Sequence, residues 1–292
     1  MIIIQPSGGL CNRIRVINSG WKLARARQEK LLVLWNCNPE LNCPFDALFR
    51  PVTDFRVTSI RSVADPRKLF YQKTARTRLT NEDLLAHRGP DGKLDEAYAR
   101  SLKGNLYIFT WEWFYPAEDY HLFIPAEPLQ KRISAMTARF GPSCVGVHIR
   151  RTDNQPAIGK SSTDAFIHLM QRELDAAADT VFYLATDDLT EEARIREAFP
   201  GRILSNRERC LRRDSREGIQ DALLDLYSLA STRKIIGSYF SSFTDIAADM
   251  RKIPLVIAGE YKGPPSRNTN RAGKISSLPA ARGACCKAAN FL

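Results

Sequence analysis

Val145–Asp153 reads VGVHIRRTD. Val145, Val147 and Ile149 alternate with Gly146, His148 and Arg150, a period of two that predicts a buried strand. The strand does not fade into a turn: it runs into two arginines, Thr152 and Asp153. In an open α/β sheet, ligands sit at the carboxyl ends of the strands. A planar guanidinium placed there matches the oxygens of a diphosphate with its fork of N–H donors. The alternative is a surface ion pair on a loop.

Outward from this strand the pattern repeats. Thr163 or Ser162 caps a helix that carries Phe166, Leu169, Met170 and Leu174 on one face. Thr180–Thr186 (TVFYLAT) is a strand that ends in Asp187 and Asp188, and Asp188 with Glu191 has the spacing of a capping box. Arg202–Ser205 is a short strand, and Ile219, Leu223, Leu226, Tyr227 and Ala230 mark a helix. Lys234–Tyr239 is a strand, Phe243–Met250 a helix and Pro254–Ala258 a last strand. Strands alternating with helices of this length imply a parallel sheet covered on both faces.

The first part of the chain has the same grammar. Ile2–Ile4 is a strand, Ile14, Ile17, Trp21 and Ala24 follow helical spacing, and Leu31–Trp35 is a buried strand. Residues 50–100 are polar and weakly periodic, with a helix expected near Asn81–His87. Gly104–Thr110 is a further strand. Phe123–Pro128 is proline-punctuated and reads as an interdomain connection, followed by a helix over Pro128–Phe140. These signals divide the chain into an α/β domain at 1–125, a second at 126–262 and a tail at 263–292. The tail is aperiodic and rich in Gly, Pro, Ser and Asn, so it is expected to be disordered.

Composition bounds the function. The 292 residues carry a formal charge of +11, of which six come from Lys262, Arg267, Arg271, Lys274, Arg282 and Lys287 at the end of the chain. The remaining body is mildly basic, as suits an anionic nucleotide-sugar. Nucleic acid is the competing partner, but no nucleic-acid module is recognisable. The seven cysteines are odd in number and contain no CxxC spacing, which argues against a disulfide framework and a zinc site. No apolar run has the length of a membrane span, and MIIIQPSGGL lacks the basic and apolar regions of a signal peptide. The expected location is the cytoplasm, with peripheral membrane association open.

Several polar residues gather at the predicted strand ends: Arg150, Arg151, Thr152 and Asp153; Asp187 and Asp188; then Phe240, Ser241 and Ser242. In a doubly wound sheet these line one crevice. Asp225 interrupts the apolar run LLDLYSLAS and needs a partner if buried. A guanine edge with two adjacent N–H donors would serve, as would an arginine or solvent. The loop Ser7–Arg13 (SGGLCNR) places paired glycines before a helix N-terminus that can face an anion, though it is neither a Walker loop nor a GxGxxG. Trp111–Tyr115 (WEWFY) either stacks on sugar rings or packs between domains. His148 shares a strand face with Arg150 and either donates to a nucleotide or is structural.

Taken together, these residues resemble a known family. VGVHIRRTD is similar to the HxRRTD motif of the α1,6-fucosyltransferases, the N-glycan core and nodulation-factor enzymes. FYLATDD resembles that family's second block, and GIQDALLDLYSLASTRKIIGSYFSSF resembles its third. GGLCNR is similar to the glycine-rich loop of α1,2- and protein O-fucosyltransferases. The resemblance spans residues 143–258 well and 1–35 weakly. It implies an α/β fold of two Rossmann-like domains of the GT-B type, GDP-fucose as donor in the second domain, inversion at the fucose carbon and no metal or other cofactor. Arg150 would grip the β-phosphate of the departing GDP, with Arg151 and Asp153 supporting it. His148 and Asp225 would hold the nucleotide, Asp225 reading guanine, while Ser241, Ser242 and Asp188 complete the donor site with Gly9 and Asn12 from the first loop. The chain departs from the core enzymes after the motif: Asn154 stands where they have lysine, and no glutamate lies four residues beyond the block. The general base is then to be sought among Asp153, Asp164 and Glu112. The acceptor would be an oligosaccharide or a glycolipid. The rival readings are a transferase for another nucleotide-sugar and a noncatalytic nucleotide- or glycan-binding protein.

Overall fold

The computed structural model describes residues 1–60, 62, 64–117, 120–152 and 155–259. The expected tail at 263–292 and the candidate Asp153 lie outside the described residues. The described residues are α/β throughout. Its first part runs β1 (Ile2–Pro6), α1 (Leu10–Ala26), β2 (Leu31–Asn36), β3 (Arg56–Ile60), α2 (Pro66–Thr74), β4 (Thr77–Leu79), α3 (Asn81–Ala86), α4 (Glu96–Ser101) and β5 (Leu106–Thr110). The second runs α5 (Glu127–Thr137), β6 (Val145–Ile149), α6 (Gln155–Lys160), α7 (Thr163–Ala176), β7 (Phe182–Thr186), α8 (Leu189–Ala198), β8 (Ile203–Leu204), α9 (Arg216–Ala230), β9 (Ile235–Gly237), α10 (Ser242–Arg251) and β10 (Leu255–Ile257).

Each part builds one five-stranded parallel sheet, in the orders β3-β2-β1-β5-β4 and β10-β9-β6-β7-β8. In both, the first strand of the unit lies at the centre, and the direction of winding reverses beside it. The chain enters the second part through Ile124–Ala126, which is hydrogen-bonded to Leu48 and Arg50.

The alternation in β6 explains its central place. Val145, Val147 and Ile149 point into one apolar cluster with Phe166, Met170 and Ile195. Gly146 and His148 face the other side, toward α9 and α10. A Cβ on Gly146 would lie 2.8 Å from the Thr232 hydroxyl and 3.0 Å from Leu229, so glycine lets α9 approach the strand closely. Gly20 does the same for α1 against Ile4.

Helix ends follow the local chemistry. Ser162, rather than Thr163, caps α7 by accepting from the Ala165 N–H at 3.2 Å. Asp188 caps α8 by accepting from the Thr190 and Glu191 N–H groups at 2.7 and 3.2 Å. Glu191 does not reach back as a capping box would: its carboxylate accepts from the Thr163 hydroxyl at 2.6 Å. Lys252 ends α10 in the left-handed conformation, with φ of 54°.

Residues 50–100 hold more regular structure than their weak periodicity suggests, namely β3, α2, β4 and α4 besides the expected helix at Asn81–Ala86. The two strands are the sheet's edges, and α2 has no buried residue. Elements this lightly packed carry little apolar patterning.

One apolar cluster spans both sheets. Ile14 and Ile17 of α1 belong to the same buried group as Leu223 and Leu226 of α9 and Ile246 of α10.

Candidate active site

The carboxyl ends of β6, β7 and β9 converge as the sequence predicts. At their centre is Asp187. Its carboxylate pairs with the Arg150 guanidinium at 2.6 Å. It also accepts from the Arg151 N–H at 2.8 Å and from the Thr152 hydroxyl at 2.7 Å. The Arg150 N–H in turn donates to the Ser238 hydroxyl at 2.9 Å. Arg150 is thus clamped at both its backbone and its side chain while still one-fifth exposed. A guanidinium fixed this way loses little further freedom when it grips an anion.

Arg151 points elsewhere. Its guanidinium pairs with Glu191 at 3.4 Å, donates to Thr163 at 3.2 Å and lies 5.9 Å from the Phe166 ring centre. It buttresses the turn from beneath. Asp188, expected among the donor-binding residues, has its carboxylate spent on the start of α8, and Asp187 is the carboxylate that faces the arginines.

His148 is buried. Its Nδ1 is 2.7 Å from the Thr244 hydroxyl, and its ring stacks on Phe243 with centres 4.8 Å apart. Burial pushes its pKa down to about 3; the Arg150 charge adds to this and the Asp187 charge opposes it. The ring is therefore neutral at physiological pH, a hydrogen-bonding group and not a charge. Ser241 is the buried residue before α10, and Ser242 is its half-buried first residue. Phe240 before them has φ of 51° and is 71% exposed, so a left-handed turn brings the two serines to the helix N-terminus.

Asp225 is buried on α9. The Tyr183 hydroxyl donates to it at 2.6 Å, in place of the solvent or arginine partner considered from the sequence. Burial pushes its carboxyl up to about 7, against the pull of Tyr183 and the Arg209 charge. Tyr183, Ser238 and Thr244 were not legible as site residues. Only their position one turn or one strand residue from a motif could have marked them.

The glycine loop lies at the carboxyl end of β1, in the first sheet. Gly8 has φ of 76°, and a Cβ there would meet the Asn12 side chain at 2.8 Å. Gly9 is the residue preceding α1. Asn12 accepts from Arg15 at 2.9 Å. Arg13 is completely buried and pins the loop: it donates to the Gly8 carbonyl at 2.8 Å, to Asn38 Oδ1 at 2.7 Å and to the Asn36 carbonyl. Burial lowers its guanidinium pKa to about 10. Cys11, one residue into α1, is raised by burial and feels the charges of Arg150 and Asp245. The loop's helix packs against α9 and α10 of the second part.

Beside the loop, at the carboxyl ends of β1, β2 and β5, lies a cavity of about 490 Å³. Gln5, Asn12, Asn36, Glu40 and Trp111 are among its lining residues.

Of the carboxylates considered as base, Glu112 is paired with Arg88 at 2.7 Å and Asp164 with Arg194 at 2.5 Å. Neither contacts the arginine turn. Among the described residues no group of three or more His, Cys, Asp or Glu side chains is arranged to hold a metal ion.

Gly237 tests how tightly this site is built. A Cβ there would stand 2.0 Å from Thr244 Cγ2, so Gly237→Ala must displace the residue that holds His148. The expected cost is about 1–3 kcal/mol of stability, read as a lower urea midpoint. An unchanged midpoint would show that α10 can shift freely.

Comparison with known proteins places the fold. No protein-family model matches the chain, and no curated protein sequence matches it. Solved structures do. The NodZ α-1,6-fucosyltransferase soaked with GDP-fucose superposes with a TM-score of 0.59 at 18% identity, over 85% of this chain and 92% of that one. POFUT1 in complex with GDP-fucose gives 0.55 at 11% identity, over 88% and 97%. An Arabidopsis thaliana FUT1 mutant in complex with GDP gives 0.60 at 14% identity, over 88% and 69%. The chain thus has the α/β fold, with two parallel sheets, of these fucosyltransferase structures.

Proposed function

We propose that the chain is a glycosyltransferase that moves L-fucose from GDP-fucose to an oligosaccharide acceptor. In this reading the two sheets are Rossmann-like domains of the GT-B type, at 1–125 and 126–262, with the donor in the second and the acceptor on the first. The observation that carries it is the clamped Arg150 at the carboxyl end of the central strand of the second sheet. Two structures of the same fold, one soaked with and one in complex with GDP-fucose, support the donor.

The chemistry follows from charge. Breaking the bond between the sugar carbon and the β-phosphate oxygen leaves negative charge on GDP. A preorganised guanidinium stabilises that charge more than it stabilises the donor, which is what lowers a barrier. Arg150 supplies this contact, and Asp187 and Ser238 hold it in place. Arg151 keeps the turn rigid, with Asp153 as its expected companion. Ser241, Ser242 and the N–H groups that open α10 meet the phosphates. Neutral His148 and Asp225 hold the nucleoside, with Asp225 accepting from the guanine edge. Gly9 and Asn12 close the crevice from the opposite side. The acceptor hydroxyl attacks the fucose carbon from the side opposite the departing diphosphate, so the configuration inverts, and its proton passes to a carboxylate base, with Asp153 as the candidate. No metal takes part, since the arginine neutralises the leaving diphosphate.

The cavity beside the loop suits a neutral sugar, because it combines amides, the Glu40 carboxylate offset by Lys68, and the exposed Trp111. A second reading, a noncatalytic nucleotide-binding protein, draws on the surface ion pairs that occupy Glu112 and Asp164.

Titration calorimetry with GDP and GDP-fucose, with and without a chelator, decides between them when followed by GDP release on a glycan panel. Chelator-insensitive binding with acceptor-dependent GDP release is expected. Binding without release on any acceptor would favour the noncatalytic reading, and no binding of either ligand would remove the donor assignment.

A further inference from the structure

Helix α2 is thinly attached to the protein. Tyr71 and Ala75 pack on the outer face of the first sheet, against residues such as Leu34 and Tyr107. The opposite side of the helix presents Leu69 and Phe70, 40% and 60% exposed. Isolated exposed apolar residues are ordinary, but these two are adjacent and stand among cations. Between Arg56 and Arg78 the sequence has seven basic residues and one acid, Asp65, and Asp65 is already paired with Arg67 at 2.7 Å. Lys73, Arg76 and Arg78 are exposed.

The same surface borders the cavity. Lys68 lines it from α2, and the exposed Phe109 and Trp111 line it from the end of β5. Aromatic and leucine side chains on a basic ground match the interface of an anionic bilayer, where rings settle at headgroup depth and cations meet acidic lipids. A nucleic acid would answer the charge but gives no reason for an exposed leucine.

We infer that this face, α2 with the cavity rim, docks on an anionic lipid bilayer. The docking itself does not depend on the transferase reading. Combined with that reading, it makes the acceptor the saccharide headgroup of a membrane lipid, taken into the cavity from the bilayer surface.

The test is vesicle flotation of the full chain, with phosphatidylcholine alone and with equimolar phosphatidylcholine and phosphatidylglycerol. The protein is expected to float with the anionic vesicles only, and less as salt is raised. In the full chain, Leu69→Ser with Phe70→Ser is expected to lower partitioning about tenfold. The urea midpoint of the same variant checks that it is folded, and Arg150→Ala is expected to float like the wild type. Three results would overturn the inference: no flotation, flotation that ignores the double substitution (attraction from the basic end of the chain instead), or binding of a single-stranded RNA oligonucleotide that the double substitution abolishes while vesicles are ignored. A GDP-binding protein that fails to float loses the docking surface and keeps the proposed activity; one that floats without binding GDP does the reverse.

Discussion

Arg150→Ala is expected to lower GDP affinity by at least about a hundredfold and transfer, as kcat/KM, by about a thousandfold. The guanidinium is held by Asp187 at 2.6 Å before any ligand arrives, so its removal deletes a contact already oriented and leaves the Asp187 charge facing the incoming diphosphate. Attraction becomes repulsion at one position. Arg150→Lys is expected to recover only part of the loss, because an ammonium restores the charge without the fork. Asp187→Asn keeps one oxygen, enough for the Arg151 N–H or the Thr152 hydroxyl but not both, and loosens Arg150. Its cost is expected to be near tenfold, mostly in kcat. Calorimetry with GDP and initial rates with GDP-fucose separate the three. Equal affinity in wild type and Arg150→Ala would remove Arg150 from the donor site.

The second large effect is a masked dependence of stability on pH. The Asp225 carboxyl is raised from 3.8 to about 7 in the folded chain. Its contribution is fully present below pH 3.8 and is lost as pH rises toward 7, because the unfolded chain releases the proton first. The His148 pKa is lowered from 6.5 to about 3. Its contribution is fully present above pH 6.5 and falls as the medium is acidified, because the unfolded chain takes up the proton first. Between about pH 4 and 6.5 the two slopes have opposite sign, each at most about 1.4 kcal/mol per pH unit. Wild-type stability is therefore expected to vary little across this window. Asp225→Asn keeps an acceptor for the Tyr183 hydroxyl and leaves the histidine slope alone: its urea midpoint should climb with pH from 4.5 to 6.5, by about 1 kcal/mol or more per unit at the steepest. A flat profile in the variant would show that the buried histidine does not resist protonation.

How far the sequence carried depended on how much of an element is buried. Val145–Ile149, Phe182–Thr186 and the helix through Leu223 and Leu226 are packed on both sides or along a full face, so their apolar spacing names them. β3, β4 and α2 have partners on only part of their surface, and the same spacing rules give nothing there. The site divides along a similar line. Arg150, Asp187 and the serines at the start of α10 follow strand ends, where register alone places them. The direction of a side chain is a different matter. Asp187 and Asp188 are neighbours with the same carboxylate, yet one meets the arginines and the other caps a helix. Asp225 stands in a helix whose sequence does not name Tyr183, from a separate strand, as its partner. Such choices are settled by tertiary packing, after the local pattern has been spent.

The apolar cluster common to both sheets bears on how such a chain can be re-engineered. Ile14 and Ile17 are enclosed by α9 and α10 as well as by their own sheet. The first half of the chain is therefore not a cassette. A chimera that borrows it from a distant relative would mismatch side chains at that seam and be destabilised before its new specificity could be read. Exchange of acceptor preference should instead graft loops at the strand ends, leaving α1, α9 and α10 as one inherited block.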